Sequence, residues 1–320
     1  MNLFVPLGIS NKIQTQFSSL MIVVLIGLTG CGGGSSDSSV NAPPDIGSYQ
    51  EFGAPQFVEV VDFDGDVMEP FFSREGNYLF FNDNAVGDNG SDKNLHFATY
   101  LSDTSFQYAG ELTSVNTTGV DGAPSMDNQN NFYFVSTINY APPTNYAILY
   151  RGIWDGTNVS QLEALSSLAI ETPGWVNFDL EISPDGQTLY FNDGDFRGGN
   201  NFPDAADIAI ATLQNGQFTR LSNSVTLTAA INTDELEYAP SVSADGLEMF
   251  FTRLMLSDLT TEIYRSTRNS IGEPFANTQK VAAISGFVEG TTFSPDERSL
   301  YFHRLNQTSG RFELYRVTRL

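Results

Sequence analysis

One short phrase recurs along this chain. "SREGNYLFF" from Ser73, "DNQNNFYFV" from Asp127, "SPDGQTLYF" from Ser183, "SADGLEMFF" from Ser243 and "SPDERSLYF" from Ser294 align without gaps, their starts 54, 56, 60 and 51 residues apart. Recurrence at this spacing marks a repeat architecture, in which copies of one supersecondary unit bury each other's faces. The phrase specifies a tight turn and then a strand. Pro184 presets φ, the side chains of Ser183 and Asp185 can bond nearby amides, and Gly186 can take a left-handed conformation that a side chain resists. The residues that follow, "YLFF" or "LYF", are apolar in succession, so both faces of the strand are covered. The second copy has neither Pro nor Gly, and the fifth has Glu297 in the Gly position.

Each phrase has the same neighbours. A short innermost strand precedes it ("EPFF", "GAPSM", "YAPSV"), and a third strand follows ("NLHFATY", "AILYRGI", "DIAIATL", "EIYRSTR", "ELYRVTR"). A more polar fourth strand ends every copy but the last: "FQYAGELTS", "VSQLEAL", "FTRLSNS" and "FANTQKVAA". The segment "PQFVEVVDF", Pro55 to Phe63, stands alone before the first copy and has the character of those fourth strands. These patterns predict an all-β, five-bladed β-propeller of four-stranded blades over residues 55–320. The N-terminal strand is expected to complete the last blade and close the ring, covering the edges that a β protein must protect.

The "SPDG-x-x-LYF" phrase with its later "D-I/E-I-Y" strand resembles the WD40-like repeat of TolB and related periplasmic propellers. TolB-type proteins have six blades behind an α/β domain and this chain has neither, so the resemblance is to the repeat family, not to TolB and its partners.

The N-terminal region predicts an address. Residues 1–30 contain Lys12 and no acid, and they end in the apolar run "LMIVVLIGL". That is the layout of a secretory signal, too short to remain as a membrane span. "Leu28-Thr29-Gly30-Cys31" also resembles the bacterial lipobox, which implies cleavage before Cys31, acylation of its thiol with palmitate-type chains, and a membrane anchor. Residues 31–54, with "GGGSSDSSVNAPPDIGS", read as the lipidated Cys and a flexible tether. Gly32 and Gly33 stand where such lipoproteins carry an Asp retention signal, which favours the outer membrane, at its periplasmic face or the cell surface. With 15 basic against 38 acidic residues the net charge is −23, a potential that repels phosphate backbones and excludes nucleic-acid binding.

Candidate chemistry is sparse. There is no nucleophile elbow, phosphate-binding Gly loop or H-E-x-x-H motif. His96 and His303 fall on strands of different blades and read as packed residues. Glu69, Asp121, Asp179, Glu237 and Glu289 precede the inner strands, where a propeller places residues at the mouth of its channel. Gathered carboxylates raise one another's pKa and suit acid–base work. Five-bladed glycoside hydrolases use three such acids, whereas recurrence in every copy points instead to a reused structural device. Trp175, in "ETPGWVNFD", is a further ligand-binding candidate, and Trp154 a weaker one. The loops after the second strands supply Asp83, Asp88, Asp193 and Asp195 as candidate Ca²⁺ ligands, and no other cofactor is expected. The favoured function is a non-enzymatic binding or scaffolding lipoprotein with a protein or envelope-glycan partner. The alternative is a carbohydrate-active enzyme using the channel carboxylates.

Overall fold

The computed structural model describes residues 48–49, 51–84, 92–198 and 202–320. Cys31, the leader, residues 32–47 of the expected tether and Asp88 lie outside them.

The described chain is nearly all β, with one four-residue helix, Ser224–Leu227, and one short 3-10 turn, Ser166–Leu168. Three strands precede the first unit: β1 (Ser48–Tyr49), β2 (Gln56–Phe57) and β3 (Glu59–Val61). Each phrase supplies the turn and second strand of an antiparallel unit. The first holds β4 (Met68–Phe72), β5 (Tyr78–Asn82), β6 (Leu95–Ser102) and β7 (Ser105–Glu111). The second holds β8 (Asp121–Met126), β9 (Asn131–Ser136), β10 (Leu149–Trp154) and β11 (Val159–Ala164). The third holds β12 (Trp175–Ile182), β13 (Thr188–Asp195), β14 (Ala205–Gln214) and β15 (Gln217–Arg220). The fourth holds β16 (Leu236–Val242), β17 (Glu248–Met255), β18 (Thr260–Thr267) and β19 (Ala276–Val281). The last holds β20 (Val288–Phe293), β21 (Ser299–Asn306) and β22 (Arg311–Thr318). A parallel bridge between Ala206 and Leu236 links the third unit to the fourth.

The phrase folds as its chemistry dictates. In the third copy the Gly186 amide bonds the Ser183 carbonyl (2.9 Å), and Ser183 Oγ donates to Asp185 (2.6 Å) while accepting from the Thr188 amide (2.8 Å). Gly76, Gly186 and Gly246 are left-handed, with φ of 80°, 71° and 71°. Asn130 and Glu297, which replace Gly in the second and fifth copies, hold the same conformation at 63° and 57°. The turn thus survives its substitutions, at the backbone cost that a non-Gly residue carries there.

The apolar second strands are buried on both faces, as their composition requires. Phe80 and Phe97 of the first unit pack with Phe132, Phe134 and Trp154 of the second. At the other end of the sequence, Tyr301 and Leu314 of the last unit pack with Phe72, Leu79, Phe81 and Phe106 of the first. The innermost strands touch one another in turn: β4 meets β8 and β20, β12 meets β8 and β16, and β16 meets β20.

The N-terminal segment departs from expectation. Gln56–Phe57 pairs with β22 of the last unit, but Glu59–Val61 pairs in parallel with β7 of the first. Alternation is the cause: Val58 and Val60 are both buried in the layer shared by those two units, so the strand straddles them. The expected tether also ends earlier than residue 54. Tyr49 and Phe52 are buried against Phe250 and Ile263, and Ser48–Tyr49 pairs with β19.

Candidate functional site

The inner strands share a device that their sequences hide. Four residues before each phrase lies a bulge in the pairing of first and second strands, occupied by Glu69, Ala123, Asp179, Ala239 and Gly290. All are left-handed, with φ of 47°, 49°, 42°, 49° and 57°. A bulge turns one amide away from its own ladder, and a buried amide needs an acceptor. In four units the preceding unit supplies it. The Ala123 amide donates to Asn82 Oδ1 (3.1 Å) and Glu69 Oε2 (3.2 Å), and the Ala239 amide to Asp179 Oδ2 (3.2 Å). The Gly290 amide donates to Thr252 Oγ1 (3.2 Å), and the Glu69 amide to His303 Nδ1 (3.0 Å).

These bulges surround a central chamber of about 30 Å³, lined among others by Glu69, Lys93, Asp179, Tyr238 and Glu289. Three of the five expected acids therefore meet. Glu289 accepts from Tyr238 Oη by a short hydrogen bond and faces His303 Nε2 at 3.3 Å. Because His303 Nδ1 accepts the Glu69 amide, its Nε2 must carry the proton and donate to Glu289. Lys93 Nζ lies 3.5 Å from Glu69 Oε1. Burial, then the neighbouring charge of Glu69, offset by Lys93, hold the Asp179 carboxyl well above the usual range; Glu289 raises it further. Burial, followed by Glu289, drives the Tyr238 phenol up as well.

The other two acids are elsewhere, because they lie six residues before the phrase rather than four or five. Asp121 caps the loop before β8, accepting from the Thr117 amide (2.6 Å) and hydroxyl (2.8 Å). Burial pushes its pKa up to about 6. Glu237 repeats the arrangement with the Thr233 amide (2.9 Å) and hydroxyl (2.6 Å), and it pairs with buried Arg253 at 2.6 Å. The expectation that all five ring one channel mouth is corrected on this point.

The remaining candidates are occupied by neighbours. Trp175 is half-buried with the Arg197 guanidinium 5.5 Å from its ring centroid, and Trp154 is buried among Phe80, Phe97 and Tyr78. Asp193 is paired bidentately with Arg220, and Asp195 with Arg197. Asp83 accepts the Asn94 amide (2.7 Å) and faces His96 (3.4 Å). Among the described residues no group of three His, Cys, Asp or Glu is placed to hold a metal ion.

Sequence reasoning missed Lys93, Tyr238, the role of His303, and a second buried pair below the chamber. There Arg74 of the first unit reaches Glu181 of the third at 2.8 Å, and Glu181 also accepts from Ser125 Oγ (2.9 Å). A signal for His303 exists in the alignment: nine residues after each phrase start stand Asn82, Ser136, Asn192, Thr252 and His303, all polar and all buried.

No protein-family model matches the chain, and no curated protein matches its sequence. Solved structures do match in shape. A putative exo-β-1,3-galactanase from Bifidobacterium bifidum has TM-score 0.55 at 11% identity, covering 83% of this chain and 93% of that one. A family 117 glycoside hydrolase from the marine bacterium Zobellia galactanivorans has TM-score 0.52 at 10% identity, covering 84% and 90%. TolB from Acinetobacter baumannii has TM-score 0.43 at 15% identity, covering 79% of this chain, which spans only 55% of that one. At these identities the likeness concerns architecture alone, and the architecture is that of a β-propeller.

Proposed function

We propose that this protein is a lipid-anchored, non-enzymatic binding or scaffolding module of the bacterial envelope, built on a five-bladed ring of TolB-like repeats. The observation that carries the reading is what the central carboxylates do. Glu69 and Asp179 receive the bulge amides of the following units, and Glu289 receives Tyr238 and His303. Apart from the Glu289–His303 contact within the last unit, these hydrogen bonds cross between units, around a space of about 30 Å³, room for little more than bound water. Small-molecule pockets run about 300–1,000 Å³, and glycoside hydrolysis needs a sugar between its two carboxyl groups. The five phrase copies and the cycle of inner-strand contacts support the blade count. The "LTGC" run supports acylation at Cys31, and Gly32 and Gly33 support the outer membrane.

The rival reading is a carbohydrate-active enzyme. It draws on the unequal environments of the three acids and on the glycoside hydrolases among the structural neighbours. To test the proposal, wild type and Cys31→Ser are expressed and crosslinked in intact envelopes. Acylated wild type in the membrane fraction is expected, with a crosslinked partner that also binds the purified soluble ring. Cys31→Ser should be soluble with an unchanged melting temperature. Unacylated, freely soluble wild type without such a partner would overturn the reading.

A further inference from the structure

The seam between the last unit and the first carries a hollow of about 350 Å³, separate from the central chamber. Its floor is aromatic. Tyr100, 40% exposed, stacks on Phe72 with centroids 5.8 Å apart and planes at 19°, and Tyr301 lies beside them. Two arginines line it. Arg298 is exposed, and Arg316 is buried except for 8% of its surface, with Nε making no hydrogen bond.

One acid occupies part of this hollow in an unusual way. Asp103 lies on the short turn between β6 and β7, and its side chain is 64% exposed. Its carboxylate nevertheless bridges Tyr100 Oη (2.8 Å) and Arg316 Nη1 (2.8 Å). The Arg316 hydrogen bond, then that of Tyr100, holds the Asp103 pKa below the usual carboxylate range. Asp296, the other acid of the lining, is committed to its own turn through Ser294 Oγ (2.6 Å) and the Arg298 amide (3.1 Å).

We propose that this hollow is a binding site for a uronic acid residue of an acidic polysaccharide, and that the Asp103 carboxylate is a built-in stand-in for the ligand's own. An aromatic face suits the apolar side of a sugar ring, and a guanidinium suits a carboxylate better than a point charge does. The volume is of the size that small-ligand sites have. The net charge of −23 repels an anion at long range, so recognition is by contact, close to the paired arginine where screening by salt is weakest. The site gives a chemistry to the envelope-glycan option of the proposed function, yet it stands on geometry that the central acids do not share.

The test is calorimetric titration of the soluble ring with a galacturonate trisaccharide, a neutral galactose trisaccharide and sodium acetate. The acidic sugar should bind, the neutral sugar at least tenfold more weakly. Asp103→Ala should tighten the acidic sugar several-fold by vacating the seat. Tyr100→Ala and Arg298→Gln, both at exposed positions that leave the core intact, should each weaken it at least fivefold. Acetate binding as tightly as the trisaccharide would reduce the site to a bare guanidinium and overturn the proposal. So would undetectable binding of the acidic sugar to both wild type and Asp103→Ala. Neither failure touches the envelope-partner test above, which depends on no sugar.

Discussion

Asp179 combines the environment of an acid–base group with a structural hydrogen bond. A desolvated carboxyl beside other acids has the raised pKa that acid–base chemistry uses, but its Oδ2 is held by the Ala239 amide. The pKa itself has a consequence for stability. It lies above the unfolded value of 3.8 because burial, then Glu69, disfavours the charged form. The stability that neutral Asp179 provides is therefore complete below that value and lost as pH rises through the folded pKa. Asp179→Asn cannot ionise and still presents an oxygen to Ala239. We expect its melting temperature to exceed that of wild type by about 2–5 °C at pH 8 and to match it near pH 4. Thermal melts across that range check this; a variant that is less stable at pH 8 would show that the charge is not a cost. Asp121 and Glu237 titrate in the same direction through burial, so the comparison with wild type, not the wild-type profile, isolates Asp179.

At the scale of the element, the bulge is the unit's decisive feature and the least legible one. The turn phrase could be read directly, since Pro, Asp and Gly each have a local job in it. So could the fully apolar second strands, and with them the all-β architecture. The bulge residues Glu69, Ala123, Asp179, Ala239 and Gly290 share no chemistry, because the position requires only a left-handed backbone and an amide turned toward the preceding unit. Acids scattered four, five and six residues before the phrase therefore looked equivalent, although only the offset decides which of them reaches the chamber. Tertiary acceptors such as His303 and Asn82 lie on the preceding unit and leave no local pattern. Substitutions of opposite sign test the bulge. At Gly290, φ is 57°, and a Cβ would lie 3.2 Å from Glu69 Cα and 3.3 Å from His303 Nδ1. Gly290→Ala should destabilise by about 1–3 kcal/mol. Ala239→Gly relieves a left-handed alanine at 49° and should be neutral or stabilising by up to about 1 kcal/mol. Urea denaturation of the two variants measures both; losses of equal size would mean that the left-handed backbone is not what these positions select.

Across the whole molecule, the same hydrogen-bonding economy runs around the centre and along the outside. Inside, Tyr238 of the fourth unit, Glu289 and His303 of the last, and the Glu69 amide of the first form one continuous relay. Outside, the N-terminal segment covers three outer edges in succession: β1 on β19, β2 on β22 and β3 on β7. Segments far apart in sequence are thereby joined, with Phe52 bridged to Arg319 and the Gly53 amide bonded to the Thr318 carbonyl at 2.9 Å. On the proposed function the central carboxylates hold neighbouring units together rather than act on a substrate. The most direct measurement compares wild type with Glu289→Gln for melting temperature and for turnover of a panel of plant and bacterial glycans. A glutamine offers one acceptor oxygen where Tyr238 and His303 need two, so an unsatisfied buried donor should cost about 1–3 kcal/mol. A lowered melting temperature for Glu289→Gln and no turnover above background in either protein are expected. Turnover by wild type that Glu289→Gln abolishes, with the melting temperature unchanged, would contradict the proposed function.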